Sequence, residues 1–125
     1  MKKKVLLIDD EKDFCHFLKK TLEATEEFKV TVANEGKDGL RKAREGMPDV
    51  ILLDVMMPGM GGYEVAEELK GEKETHKIPV IFLTAVVTDR EIKDESYLLY
   101  GKRFIAKPVK IKELVGKIKA ALAGD

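Results

Sequence analysis

The sequence predicts an α/β domain: five parallel strands in one sheet with helices on both faces, a (βα)5 arrangement. Two observations carry this. Short apolar runs alternate with amphipathic segments five times along the 125 residues, and such alternation builds parallel sheets. The strongest runs, Val5-Leu6-Leu7-Ile8 and Val50-Ile51-Leu52-Leu53, are apolar at every position, as strands covered on both faces must be.

Each element follows in order. After the run at Val5–Ile8, Phe14, Phe17, Leu18, Thr21 and Leu22 recur at helical spacing. Val30, Val32 and Ala33 form a weaker strand, and Leu40 and Ala43 mark a short helix ended by Gly46-Met47-Pro48. Val50–Leu53 is the central strand. The turn Pro58-Gly59-Met60-Gly61-Gly62 leads into a helix carrying Val65, Ala66 and Leu69. Pro79 opens the strand Val80–Leu83, residues 89–100 read as a poorly patterned helix, and Phe104-Ile105-Ala106 is a short fifth strand. Ile111, Leu114, Val115, Ile118 and Leu122 define the last helix. Crossovers in such units are right-handed. The weak strand near Val30 belongs at an edge, which fits the order 2-1-3-4-5; that order is taken over from known doubly wound, flavodoxin-like sheets rather than derived.

The chain has the size of one domain, residues 1–125, with no internal repeat, linker or low-complexity tract. Lys plus Arg and Asp plus Glu both number 23, and this balance argues against nucleic acid as a direct partner. Lys2-Lys3-Lys4 reads as a solvated strand start. The sole cysteine, Cys15, excludes an internal disulfide and suits a reducing compartment as a free, inert thiol. The opening apolar stretch stops at Ile8 before two aspartates, too short for a signal peptide. No run reaches the ~18 apolar residues of a membrane span. A cytoplasmic protein is expected, with His76 solvated in a polar loop.

Ligands of open parallel sheets bind outside the carboxyl ends of the strands. The first strand here ends in Asp9-Asp10-Glu11, the third in Asp54, the fourth in Thr84 and the fifth in Lys107-Pro108. Singly, each has a plain structural reading: helix cap, turn residue or solvated lysine. Complementary groups at four strand ends together mark a site. Two carboxylates ~4 Å apart repel by about 4 kcal/mol at an effective dielectric of about 20. A third forces a proton onto one of them unless a cation neutralises the cluster. Oxygen ligands without His or Cys suit Mg2+ or Mn2+. A carboxylate beside such an ion is a competent phosphoryl acceptor, while Lys107 and the Thr84 hydroxyl suit phosphoryl oxygens.

With these residues assembled, the chain resembles the response-regulator receiver family over nearly its whole length. The matching motifs are VLLIDDE at 5–11, PDVILLDVMMPGMGGYEV at 48–65, PVIFLTA at 79–85 and FIAKP at 104–108. The resemblance implies that Asp10 and Asp54 bind the metal directly, Asp9 holds it through water, and Met56 supplies its backbone carbonyl. Asp54 would be phosphorylated by a partner histidine kinase or phosphotransfer protein. Lys107 would contact the phosphoryl group, with the Lys107–Pro108 peptide cis. Thr84 would swing to the phosphoryl group and Phe104 would rotate inward behind it. The output would be contact with an unidentified protein target through the face made by the fourth helix, fifth strand and fifth helix. A monomer or weak dimer is implied, without an attached output domain and without enzymatic turnover beyond self-phosphorylation and self-dephosphorylation. A hydrogen bond to a charged group contributes ~1.5–3 kcal/mol, well short of the ~5.5 kcal/mol that drives a two-state switch from 1:99 to 99:1. Partial activity before phosphorylation, or a partner that completes the shift, is therefore expected.

Two departures from the family pattern stand out. Tyr100-Gly101-Lys102-Arg103 replaces the common Gly-Ala before the last strand, and Tyr97, Leu98, Leu99 and Tyr100 form either a partner patch or core packing. Phe104 stands where Tyr is common, keeping the ring and losing the hydroxyl. Met56 and Val86, two residues beyond Asp54 and Thr84, line the water's approach in the family; neither side chain can hold a water, so slow self-dephosphorylation is expected. A haloacid-dehalogenase-like phosphatase would need a second Asp where Met56 stands. A nucleotide- or flavin-binding module would need a G-x-G-x-x-G loop where Asp9-Asp10-Glu11 stands. A degenerate receiver would lack one of the key groups.

Overall fold

The computed structural model describes residues 1–85 and 103–124. Strands β1 (Lys3–Ile8), β2 (Phe28–Ala33), β3 (Val50–Asp54), β4 (Val80–Thr84) and β5 (Phe104–Ala106) form one sheet. Its order is β2-β1-β3-β4-β5 and every neighbouring pair is parallel. The described helices are α1 (Lys12–Glu23), α2 (Gly36–Gly46), α3 (Gly62–Gly71) and a last helix, Ile111–Leu122. The expected doubly wound, flavodoxin-like architecture and its strand order are thus present. The expected helix at 89–100, the patch Tyr97–Tyr100 and Val86 lie outside the described residues.

The pleat explains why the strands are apolar at every position. Successive side chains point to opposite faces, so Val5, Leu7, Val50, Leu52, Ile81 and Leu83 pack with Leu18 and Leu22 of α1 and with Leu114 and Ile118 of the last helix. Leu6, Ile8, Ile51, Leu53 and Phe82 pack on the other side with Leu40 of α2 and with Val65 and Leu69 of α3. Both faces are buried, and Val50 through Leu53 have no accessible surface. At the edge, β2 buries Phe28 and Val30 while Lys29 and Thr31 remain exposed. No described helix is long and apolar enough to cross a membrane.

Two details differ from the periodicity reading. Phe17, expected on the core face of α1, is exposed, and the buried seam is Cys15, Leu18 and Leu22. These three sit at i, i+3 and i+7 on one helical stripe, and Phe17 falls off it. The second strand begins at Phe28, two residues before its expected apolar run, because Phe28 pairs with Lys3 of β1. Helix α2 stops where expected: Met47 adopts a left-handed conformation (φ 45°) and its N–H donates to the Ala43 carbonyl.

The chain crosses from β3 into α3 at very close range. A Cβ on Gly62 would lie 2.2 Å from the Asp54 carbonyl oxygen and 2.9 Å from Val55 Cα. Both obstacles are backbone, so nothing can rotate aside. Gly62→Ala should therefore lower stability by about 1–3 kcal/mol. Gly116, exposed inside the last helix with nothing within 4 Å of its would-be Cβ, should gain about 1 kcal/mol when replaced by Ala. Urea unfolding of both variants checks the contrast.

Candidate functional site

Four strand ends gather the polar groups on one rim. Asp9 follows β1 and is fully buried, and Asp54 closes β3 at 4% exposure. Thr84 closes β4, half-buried, and Lys107 follows β5 with a largely buried side chain. β1 and β3 are neighbours, with Ile8 opposite Leu53, so Asp9 and Asp54 leave the sheet side by side. Asp10 is exposed at the mouth. One carboxylate oxygen from each of Asp9, Asp10 and Asp54 lies within 4.8 Å of the others.

The remaining candidates surround this cluster. Met56 is exposed, and its backbone N–H donates to Asp54 Oδ1 at 3.4 Å. The Lys107–Pro108 peptide is cis. Phe104 is half-buried, its ring stacked on Phe82 with centroids 5.2 Å apart. Cys15 is buried and free. His76 is exposed in the loop after α3.

Asn34 supports the site and was not singled out by motif reading. The Asp9 carbonyl accepts hydrogen bonds from Asn34 Nδ2 at 2.9 Å and Cys15 Sγ at 3.4 Å, which fixes the backbone beneath the carboxylate. Asp9 Oδ1 accepts the Glu11 N–H at 2.9 Å. Asn34 is 25 residues from Asp9 in sequence, so only the β1–β2 pairing brings it near. Glu11 and Phe14 complete the surroundings of Lys107, whose Nζ lies 2.9 Å from Glu11 Oε1 and 4.5 Å from the Phe14 ring centroid.

Burial and mutual repulsion set the protonation of the cluster. Loss of solvent pushes the Asp54 carboxyl up to about 6; the Asp9 charge adds to the rise, and Lys107 and the Met56 N–H oppose it. Burial likewise raises Asp9, against the pull of Lys107 and the Glu11 N–H. For Lys107 burial disfavours the charge, but contact with Asp9 and Glu11 outweighs it and holds the ammonium above the ordinary lysine range. Burial, reinforced by Asp9, drives the Cys15 thiol up to about 12, consistent with an inert, bracing role.

The donor set fits a hard divalent cation. The clustered atoms of Asp9, Asp10 and Asp54 are carboxylate oxygens, the ligands preferred by Mg2+ and Mn2+. Buried Asp9 Oδ2 has no aligned hydrogen-bond donor among the described residues, although the Lys107 ammonium stands 2.8 Å away as an ion pair.

Known proteins resemble this chain over nearly its whole length. Residues 5–119 match the family described as "Response regulator receiver domain". The chain is 35% identical over 127 residues to the protein PilH of Pseudomonas aeruginosa, covering 97% of this chain and 98% of PilH. It is 37% identical over 123 residues to the "Probable transcriptional regulator ycf27" of Guillardia theta, covering 97% of this chain but only 46% of that relative. The receiver domain of the Francisella response regulator 1452 superposes with a TM-score of 0.83 at 30% identity, over 97% of each chain.

The raised Asp54 carboxyl makes stability depend on pH. Its folded pKa, about 6, exceeds the ordinary 3.8, so the folded protein binds this proton more tightly than the unfolded chain does. The resulting stability is full below pH ~4 and is lost as pH rises through ~6. Asp54→Asn should therefore stabilise the metal-free protein by about 1–3 kcal/mol above pH ~7. The difference should close near pH ~4, as read by urea unfolding at both pH values.

Proposed function

The chain belongs to the response-regulator receiver family, and from that premise we propose that it is a signalling switch that accepts a phosphoryl group on Asp54. The donor is a partner histidine kinase or phosphotransfer protein, the cofactor is Mg2+ or Mn2+, and the output is contact with a protein target. The observation that carries this reading is the convergence of Asp9, Asp10 and Asp54, two of them buried, with Lys107 beside them. Such a cluster disfavours its own charge, which a divalent cation would neutralise, and Lys107 offers positive charge to an incoming phosphoryl group.

In the proposed step an Asp54 carboxylate oxygen attacks the phosphorus of a phosphohistidine. The O–P bond forms as the P–N bond breaks, and the departing imidazole nitrogen takes a proton from solvent. Asp10 and Asp54, with the Met56 carbonyl and with Asp9 through water, would hold the divalent cation, which would supply neutralising charge to the carboxylates and the phosphoryl oxygens. Lys107 pairs with one phosphoryl oxygen and the Thr84 hydroxyl donates to another. Thr84 is attached to the end of β4, and the Lys107 N–H donates to its carbonyl at 2.8 Å, so the two respond as one rim. Phe104, stacked on Phe82, is the side chain that moves inward behind Thr84. The changed surface comprises β5, the last helix and the segment preceding β5. The phosphoryl chemistry is a single acceptance and slow loss rather than turnover, and the setting is cytoplasmic.

The match to PilH over nearly its full length supports reading residues 1–125 as one receiver unit. The balanced charge, 23 basic against 23 acidic residues, supports a protein target rather than nucleic acid.

Incubation with acetyl phosphate and Mg2+ should add the mass of one phosphoryl group. The addition should vanish with a chelator or in Asp54→Asn; a mass gain that survives Asp54→Asn overturns the assignment. Removal of the group should be slow because Met56 and Val86 offer attacking water no hydrogen bond. Met56→Asn combined with Val86→Glu should shorten the phosphoryl half-life severalfold, followed by the decay of the same mass.

A further inference from the structure

We infer that Glu11 is a positioning residue for Lys107: its carboxylate parks the ammonium away from bare Asp54, and the phosphoryl group must win Lys107 from it. The inference rests on the reading of Asp54 as phosphoacceptor and adds a residue that controls when Lys107 is available.

Glu11 stands at the N-cap of α1, where a side chain ordinarily accepts a helix N–H, yet it makes no capping hydrogen bond. It reaches instead across 96 residues of sequence to Lys107, with Oε1 2.9 Å from Nζ. The same Nζ lies 2.8 Å from Asp9 Oδ2 and 3.8 Å from Asp54 Oδ1. Among these three anions the phosphoacceptor is the most distant. The Phe14 ring, 4.5 Å from Nζ, closes a further side and favours a cation there.

The anchoring of Lys107 leaves only its tip to change partners. Its backbone N–H donates to the Thr84 carbonyl and its side chain is 11% exposed. Asp9 and Glu11 play different parts in holding that tip. Asp9 belongs to the carboxylate cluster that fits a cation, whereas Glu11 lies outside it and is 61% exposed. Positive charge gathered at the cluster weakens the hold of Asp9 on the ammonium. Glu11 is then the anion that still restrains Lys107, in direct competition with phosphoryl oxygens.

Two variants separate contact from mere charge. Glu11→Gln keeps the length and loses the charge; Glu11→Asp keeps the charge and loses the reach by one methylene. With acetyl phosphate and Mg2+, both should raise the initial rate of Asp54 phosphorylation by about two- to five-fold, the scale of one exposed ion pair. In metal-free protein the Lys107 Nζ resonance should move in both variants, a signature independent of phosphorylation. Acceleration by Gln alone would reduce Glu11 to a background charge and overturn the inference, as would equal rates in all three proteins or an unmoved resonance. A wild-type chain that takes no phosphoryl group overturns the phosphoacceptor reading and this inference together; a wild-type chain that is phosphorylated at the same rate as both variants sinks this inference alone.

Discussion

The repulsion among Asp9, Asp10 and Asp54 is the constraint around which the rim is organised. Their oxygens converge within 4.8 Å, and burial of Asp9 and Asp54 removes the water that would screen them. Among the described residues the structure answers with the Lys107 ammonium and the backbone N–H groups of Glu11 and Met56. That answer is incomplete: Asp54 is still pushed up to about 6. The uncompensated negative charge is the feature that fits a divalent cation.

Holding such a cluster together requires a scaffold that cannot relax. Its foundation is the apolar core on both faces of β1, β3 and β4, which fixes the strand ends to within the parallel register. Close contact between Gly62 and the Asp54 carbonyl locks α3 against β3. Asn34 and Cys15 grip the Asp9 carbonyl from β2's end and from α1. Electrostatic strain at the rim is therefore carried by hydrophobic packing beneath it, a division of labour common to functional sites.

Legibility in the sequence followed the range of the interactions. The strands were readable because a buried strand needs apolar side chains at consecutive positions, as in Val50–Leu53. Asp9, Asp10, Asp54, Thr84 and Lys107 were readable as candidates because each directly follows or closes such a run. Phe17 misled, since one aromatic at nearly the right spacing cannot be told from a core residue without knowing which stripe of α1 meets the sheet. Asn34 carried no local signal at all, because its partner is a backbone carbonyl on another strand.

The residue order alone determined the class of fold, the polar group at each strand end and the acid-rich character of the rim, because these depend on local periodicity and residue type. Only the tertiary structure decided which anions hold Lys107, that Cys15 supports the Asp9 carbonyl, and that Asp9 is sealed while Asp10 is open. Those outcomes turn on distances between strands far apart in the chain. Both Coulomb attraction and desolvation change steeply over a few ångströms, a scale that one-dimensional spacing does not carry.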